Sequence, residues 1–552
     1  MIRKAGGFTI VQGGLHNMKK KTLSILLSIS MIAAMTGCGN EATTQSKETT
    51  TSTENTSVEK STSSETASEE AYKLDSITLV VDGTFNASLD AGQEELIKQW
   101  EDAVGIDLTI NQLDHSGYTD GVGRLFASGD YPDVILLNAG QYAEYAKTGL
   151  LWDMTEAYDN ADFQSRVTLP EVNLNRRING KQYGIATGLG GGCITYVKKA
   201  WLDAVGMKAE DIKDWDSYYA MLKAFATQDP DGNGVNDTYG VAAPGFMSSE
   251  APYTNYLPQF WQNAYPAFNQ DENGTWYDGF NTEETKEALK RLQQAYTDNV
   301  IDPESLTIQT KSLREKWWSM NQSGSFGAFT YWAGYWNDNL VNTMDKNGID
   351  SELVRLEPIA EMDGYMNRES PVYCIIDDGD GNDAREQAIF DAFFETMFDG
   401  DRVQMLWVYG AEDVHWSTHA ESFTTGEGDS LKEYNYEEGE FHLKLNPADP
   451  SAVWKKNAID PSSMIASMTN GYETATDLTK ECNAFFSENC VDCPKSASSE
   501  ALSNCNGTLM DLKNEVIAEV VVNGKDVDEW MNYYAEQSAD MVNEILSELN
   551  AQ

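Results

Sequence analysis

Positive charge is scarce in this chain. Lysine and arginine together number 39 against 88 aspartates and glutamates, a formal net charge of −49 over 552 residues. Five of the basic residues, Arg3, Lys4, Lys19, Lys20 and Lys21, precede residue 38 with no acid among them, so the rest of the chain carries 34 basic against 88 acidic groups, a net of −54. Such a balance opposes binding to nucleic acid or to an anionic lipid surface, and it suits a neutral or cationic small ligand. Long apolar runs are missing too. The stretch from Leu23 to Ala34 is short of the roughly 20 residues that span a bilayer, and no second membrane segment follows. Signatures of common catalysts are absent. There is no G-x-S-x-G elbow. The run Gly188-Leu189-Gly190-Gly191-Gly192 lacks the Lys-Ser/Thr of a phosphate loop and reads as flexible backbone near a hinge or pocket. His415 and His419 have metalloprotease spacing, but Trp416 stands where that pattern needs glutamate. No carboxylate pair stands out among the acids, so a non-enzyme is expected.

Cysteine is sparse, seven in all, and Cys38 is the most informative. Three lysines (19–21), the short apolar run and Met35-Thr36-Gly37 precede it, which is the layout of an export signal. The last four residues resemble the lipobox of bacterial lipoproteins, in which the cysteine is acylated and becomes the mature N-terminus. Two acyl chains there give a stable anchor where one does not. Residues 1–17 carry no signal pattern and Met18 directly precedes the lysines, so translation is expected to start at Met18, with 1–17 an untranslated extension and 18–37 the signal peptide. Cys482, Cys490, Cys493 and Cys505 cluster late in the chain. Outside a cell they read first as two disulfides stapling a loop-rich insertion, with zinc as the competing reading because Cys490 and Cys493 have ligand-pair spacing.

Residues 38–72 form a Thr/Ser/Glu linker with almost nothing apolar to bury, expected to be disordered, and Asn40 to Ala71 as a coil spans about 30 Å. Patterned sequence starts at Ile77–Val81, an apolar β-branched strand. A helix over Glu94–Ala103, a strand over Ile106–Ile110, a helix over Tyr118–Ser128 and a strand over Asp133–Leu137 follow. That order predicts right-handed crossovers and a doubly wound parallel sheet, with ligands beyond the carboxyl ends of the strands. Helical patterns then dominate: Trp201–Val205, Asp216–Thr227, Glu283–Asp298, Asp383–Phe398, Leu512–Val522 and Val527–Leu549.

Two features carry chemistry. Asp229, Asp231, Asn233 and Asp237 place oxygen side chains at positions 1, 3, 5 and 9 of a loop, Gly234 takes the tight turn at 6, and Val235 offers its carbonyl at 7. Alternate spacing turns every second oxygen inward, the logic of a calcium loop, here read as structural. Position 12 is Gly240, so the bidentate glutamate is missing and another acid or water must complete the shell. Without a metal the stretch reads as an Asx- and Gly-rich turn. The second feature is aromatic clustering: Phe260-Trp261, Trp317-Trp318, Tyr331-Trp332 with Tyr335-Trp336, and Trp407, Tyr409 and Trp416. Aromatic faces pack against the C–H faces of sugars, although they fill cores equally well. Trp332, Tyr335 and Trp336 stand out because Gly334, Asn337 and Asp338 beside them indicate a loop.

The motifs Ser128-Gly129-Asp130-Tyr131-Pro132-Asp133-Val134, Gly149-Leu150-Leu151-Trp152-Asp153-Met154-Thr155, Gly180-Lys181-Gln182-Tyr183-Gly184-Ile185, Tyr196-Val197-Lys198-Lys199-Ala200-Trp201-Leu202 and Val300-Ile301-Asp302-Pro303-Glu304 follow one another in that order. Tyr409-Gly410-Ala411-Glu412-Asp413 completes the series, with Asp413 where a Tyr-Gly-x-Glu-Gly pattern has glycine. Together they resemble the family 1 extracellular solute-binding proteins, above all the large lipoprotein members that serve oligosaccharide ABC transporters. The resemblance implies an α/β, two-lobe periplasmic-binding-protein-like fold of class II type, closing as a hinge on its ligand. It implies lobe one at 73–188 and 372–415 and lobe two at 189–371 and 416–552. It further implies an oligosaccharide ligand delivered to ABC permease subunits, with membrane attachment through the lipid anchor alone on the extracellular face. A monomer is expected. Phe85, Asn86, Asn138, Trp332, Tyr335, Trp336, Glu412 and Trp416 are the expected cleft residues, the aromatics stacking on the sugar and the amides and Glu412 taking its hydroxyls. A lipid-anchored glycoside hydrolase is the alternative that shares anchor, acidity and aromatics.

Overall fold

The computed structural model describes residues 72–83, 92–114, 117–188, 190–246, 256–319, 324–426, 431–447, 449–454 and 476–551. The expected signal peptide, Cys38 and most of the linker, together with Phe85 and Asn86, lie outside the described residues. Residues from 69 onward form one compact unit. Among the described residues no helix is long and apolar enough to cross a membrane.

The first sheet begins as the alternation predicts. Strand β1 (Ser76–Asp82) lies between β2 (Asp107–Leu113) and β3 (Val134–Leu137), parallel to both. Helix α1 (Gln93–Val104) connects β1 to β2, and α2 (Tyr118–Ser128) connects β2 to β3. The sheet is not wholly parallel: strand Val372–Ile375 returns from far along the chain and runs antiparallel beside β3, followed by the short β4 (Ile185–Ala186). Both faces are covered. Ile77, Leu79, Val81 and Val134 enter a cluster with Trp100 of α1 and with Phe390, Phe393 and Trp407 from the 384–409 helices. Val80, Ile135 and Leu137 point the other way, toward Tyr118, Val122 and Phe126 of α2 and Tyr142 of α3 (Ala139–Thr148). Alternate residues of a strand face opposite ways, so this double burial is why the centre of β1 and all of β3 are apolar, while β2 at the sheet's edge is not.

The second sheet runs in the order Leu353–Leu356, β5 (Cys193–Lys198), Phe326–Trp332 and β6 (Tyr239–Val241). The first two pairings are antiparallel and the last is parallel. One large cluster buries it, drawing on Tyr218, Leu222 and Phe225 of the 215–227 helix, Leu289 and Leu292 of the 283–297 helix, and Val516 to Met531 near the C-terminal end. The final helix, Val527–Leu549, matches its expected span.

Three expectations need correction. The helix expected from Leu512 starts at Glu500, because packing of Ala501 and Leu509 against Ile545 and Leu549 overrides the poor helix propensity of Asn504, Asn506 and Gly507. The region around Cys482, Cys490, Cys493 and Cys505 is not loop-rich: Cys482 lies inside helix Asp477–Asn489 and Cys505 inside Glu500–Ile517. The four are free thiols rather than disulfides, since each points into a different neighbourhood. Cys482 Sγ accepts from Gly334 N at 3.1 Å, Cys490 faces the Ser487 carbonyl, Cys493 faces the Tyr265 hydroxyl and Cys505 packs near Leu509. Finally, the segment after Trp416 was expected in the second lobe. Its Trp416, Phe441 and Leu443 instead pack on Met405, Val408 and Tyr409 of helix Arg402–Tyr409, whose Leu406 and Trp407 belong to the first sheet's core.

Candidate functional site

Two stretches of chain pass between the sheets and meet. Residues 187–192 lead from β4 to β5, and residues 368–371 lead back to the first sheet. Gly191 N donates to Arg368 O at 3.2 Å and Arg368 N to Gly191 O at 2.9 Å. The glycines expected near a hinge are required here by close approach. A Cβ on Gly190, at φ +100°, would stand 1.9 Å from the Arg368 carbonyl oxygen, and one on Gly192 would stand 2.3 Å from that of Met366.

The aromatic motif lies at this joint. Trp332 ends its strand opposite Cys193, the first residue of β5, and Ala333 N donates to Gly192 O at 2.9 Å. The chain then turns at Gly334 (φ +70°) and enters helix Tyr335–Lys346. The expected loop is therefore only two residues long, and Asn337 and Asp338 are buried. Asp338 accepts from the hydroxyls of Thr476 (2.7 Å) and Thr479, which fixes the start of this helix to the start of helix Asp477–Asn489. Tyr335 is 44% exposed. Trp332 and Trp336 are half-buried, and each carries a guanidinium on its ring: Arg368 lies 4.4 Å from the centre of Trp332, and Arg314 lies 4.8 Å from that of Trp336. Trp336 also meets Tyr331 edge-on at 5.1 Å. Sequence reading missed both arginines, because nothing in their local pattern separates them from surface cations.

The remaining expected cleft residues fare differently. Asn138 follows β3 at a strand end, but its side chain caps α3, accepting from Gln141 N at 2.9 Å and donating to Thr119 Oγ1 at 3.2 Å. Glu412 is held by its backbone, which exchanges bonds of 2.9 and 3.1 Å with the side-chain amide of Gln99 on α1; its carboxylate is left to project. Trp416 is core: it is 7% exposed, donates Nε1–H to Gly410 O at 2.8 Å and packs on Phe441. That placement gives its ring to the fold and not to a ligand. His415 is likewise buried, its Nδ1 accepting from Ala411 N at 2.9 Å, while His419 is exposed beside Glu438.

In the calcium-like loop the oxygens gather around one amide. Asn233 Nδ2 donates to Asp231 Oδ2 at 3.0 Å and to Asp237 Oδ1 at 3.1 Å, and its Oδ1 accepts from Val235 N at 2.7 Å. Asp229 accepts from the backbone of Asn233 and Gly234. Burial, with Asp229 and Asp237 close by, pushes the Asp231 carboxyl above the usual carboxylate range. A cation entering the loop relieves that strain between like charges. Among the described residues no three His, Cys, Asp or Glu side chains stand together as a ready metal-binding group.

Two sheets joined by paired crossing segments, with aromatic rings at the joint, make a two-lobed α/β fold of the periplasmic-binding-protein type. Residues 95–361 match the family described as bacterial extracellular solute-binding protein. It is 26% identical over 292 residues to lipoprotein LipO of Bacillus subtilis (strain 168), covering 52% of this chain and 51% of that one. It is 22% identical over 369 residues to the polygalacturonan/rhamnogalacturonan-binding protein YtcQ of the same organism, covering 62% of this chain and 67% of that one. The match thus spans about half the length of the first of these relatives. Among solved structures, an HMO-binding, ABC-transporter-associated solute-binding protein from Bifidobacterium longum infantis superposes with a TM-score of 0.55 at 16% identity, over 86% of this chain and 97% of that one. At that identity the likeness speaks for the fold alone.

Proposed function

We propose that this chain is the substrate-binding component of an ABC importer, which captures an oligosaccharide between two lobes and hands it unaltered to the permease. The observation that carries this reading is the joint itself: paired crossing strands at Gly191 and Arg368 bring an exposed tyrosine and two half-buried tryptophans to the seam of two sheets. Trp332, Tyr335 and Trp336 stack on the sugar, and Glu412 takes hydroxyls from the first lobe. Phe85, Asn86 and the backbone around Asn138 contribute further contacts to the ligand. The first lobe comprises 73–188 with 372–454, and the second takes the remainder. Cys38 bears the acyl anchor on the outer face of the cell membrane, and 38–72 is the tether. Asp229, Asp231, Asn233, Val235 and Asp237 hold a structural calcium ion. The protein acts as a monomer.

The test is a thermal-shift screen of the mature chain over a glycan panel, with chromatography of the same mixtures. A raised midpoint with intact glycan supports the reading, since a ligand that binds only the folded state stabilises it. Cleavage of the glycan, or no shift with any member, overturns it.

A further inference from the structure

Resting on the sugar-binding reading, we propose that the ligand is anionic: an oligosaccharide of uronic acids whose carboxylates are held by Arg314 and Arg368. Only 11 arginines occur in the chain. Most that are described have an acidic or carbonyl partner: Arg177 with Asp159, Arg355 with Glu481, Arg385 with Asp133 and Glu386, Arg291 with Phe260 O, and Arg176 with Ser370 O. Arg314 differs. Its Nη1 donates to the Tyr331 hydroxyl at 3.0 Å and its plane lies over Trp336, but it has no carboxylate within ion-pair distance among the described residues, and its buried Nε–H has no partner. In so acidic a chain, a guanidinium without an ion-pair partner among the described residues is placed for a charge that comes from outside.

Position supports the same conclusion. Arg368 takes part in the crossing pair with Gly191 and stacks on Trp332; Arg314 stacks on the next aromatic along, four residues on. Arg314 lays its flat face on the Trp336 indole and gives Nη1 to Tyr331, which leaves Nη2 in the guanidinium plane for an anion. The exposed ring of Tyr335 lies between the two tryptophans in sequence and offers a C–H-stacking surface beside the cations. The chain's overall negative charge points to a neutral or cationic ligand, yet that field is screened over about 8 Å at physiological ionic strength, whereas a fork-to-carboxylate contact acts at about 3 Å. Contact chemistry decides the class, and the net charge slows encounter.

Calorimetry of the mature chain with tri-galacturonate and tri-mannuronate, each beside its methyl ester, tests this. The ester keeps the ring and removes the charge. At least one acid is expected to bind about ten- to a hundredfold more tightly than its ester, the span of one charged hydrogen bond of about 1.5–3 kcal/mol. Arg314→Gln and Arg368→Gln, with melting curves checked, should abolish that preference by weakening acid binding far more than ester binding, and Arg314→Lys should restore only part of it. Equal binding of acid and ester overturns the proposal, as does equal loss of both in the variants, which marks the arginines as packing only. Binding of neutral oligosaccharides but neither acid overturns the proposal and leaves the sugar-binding reading standing. No binding by any acidic or neutral glycan overturns both.

Discussion

Gly191 and Arg368 close a two-bond bridge between segments 177 positions apart in sequence, and the glycines on either side have no room for a side chain. Gly190→Ala puts a methyl group into the Arg368 carbonyl in a left-handed conformation, which costs about 1–3 kcal/mol. Gly192→Ala meets the Met366 carbonyl and the Phe486 ring. Both variants should melt below the parent. Gly123→Ala, in α2 with open space around it, should melt at or above the parent, because glycine inside a helix is worse than alanine by about 0.5–1 kcal/mol. Equal behaviour of all three would remove the close-approach argument.

Two tryptophans are proposed to face the ligand, and Trp416 is structural. Trp332→Ala and Trp336→Ala should weaken oligosaccharide binding by about 0.5–1.5 kcal/mol each if stacking is their role. Trp416→Ala should lower stability by about 3–5 kcal/mol, because it empties a core position. Calorimetry and chemical unfolding on the three variants separate these outcomes.

Much of this fold was legible because its first half obeys a simple period. The alternation from Ile77 to Leu137 marked three strands and two helices, with ends within one residue except that β2 runs three residues past the expected Ile110, since both faces of that sheet are covered and the pattern has no competing explanation. The returning strand at Val372 could not be read as antiparallel, because orientation depends on where the chain has been. Trp416 misled for a related reason: its neighbours in sequence are polar, and its burial comes from Phe441, twenty-five residues on. The glycine run and the Trp332–Trp336 cluster were picked out as a hinge and a sugar surface, and the structure brings them together at one joint. Arg314 and Arg368 were invisible because their partners are rings supplied by a different element.

Calcium should stabilise the protein and EDTA should lower its melting temperature. The effect should also depend on pH. Asp231 holds its proton more tightly than an ordinary aspartate, so the strain of its ionised form is absent in acid and grows as pH rises above the usual carboxylate range. Calcium relieves that strain and competes with the proton, so its stabilising effect should be large at pH 7 and fade toward pH 4. Melting curves at both values, with and without calcium, check this; identical shifts would rule it out.

Lys198 offers a second pH test. Burial pulls its ammonium group down to about 7, while Trp201 and Trp317, with ring centres 4.7 and 4.6 Å from Nζ, and the Ser325 hydroxyl at 3.1 Å hold the charge in place. An unfolded lysine titrates near 10.4. Below about 7 both states are protonated and the folded state bears the full penalty of a buried charge; as pH rises from there the folded state sheds its proton first and the penalty is relieved. Lys198→Met should therefore gain most over the parent at pH 6, and that advantage should shrink steadily as pH rises from 7 toward about 10. A constant difference in unfolding free energy would show that the group does not titrate in this window.

The late cysteines should behave as thiols. Dithiothreitol should leave the melting temperature unchanged, and a thiol reagent added to denatured, unreduced protein should modify Cys482, Cys490, Cys493 and Cys505 alike, as mass spectrometry would read. A reductant-sensitive midpoint would restore the disulfide reading.

The bond from Thr476 to Asp338 has a practical consequence for anyone shortening this protein. The rings proposed to grip the solute are anchored by a helix that begins 138 positions later, so a fragment ending before that helix would keep every stacking residue and still lose its grip. Binding activity in such fragments should vanish ahead of secondary structure, and a domain boundary drawn by sequence alone would cut away the support while seeming to spare the site.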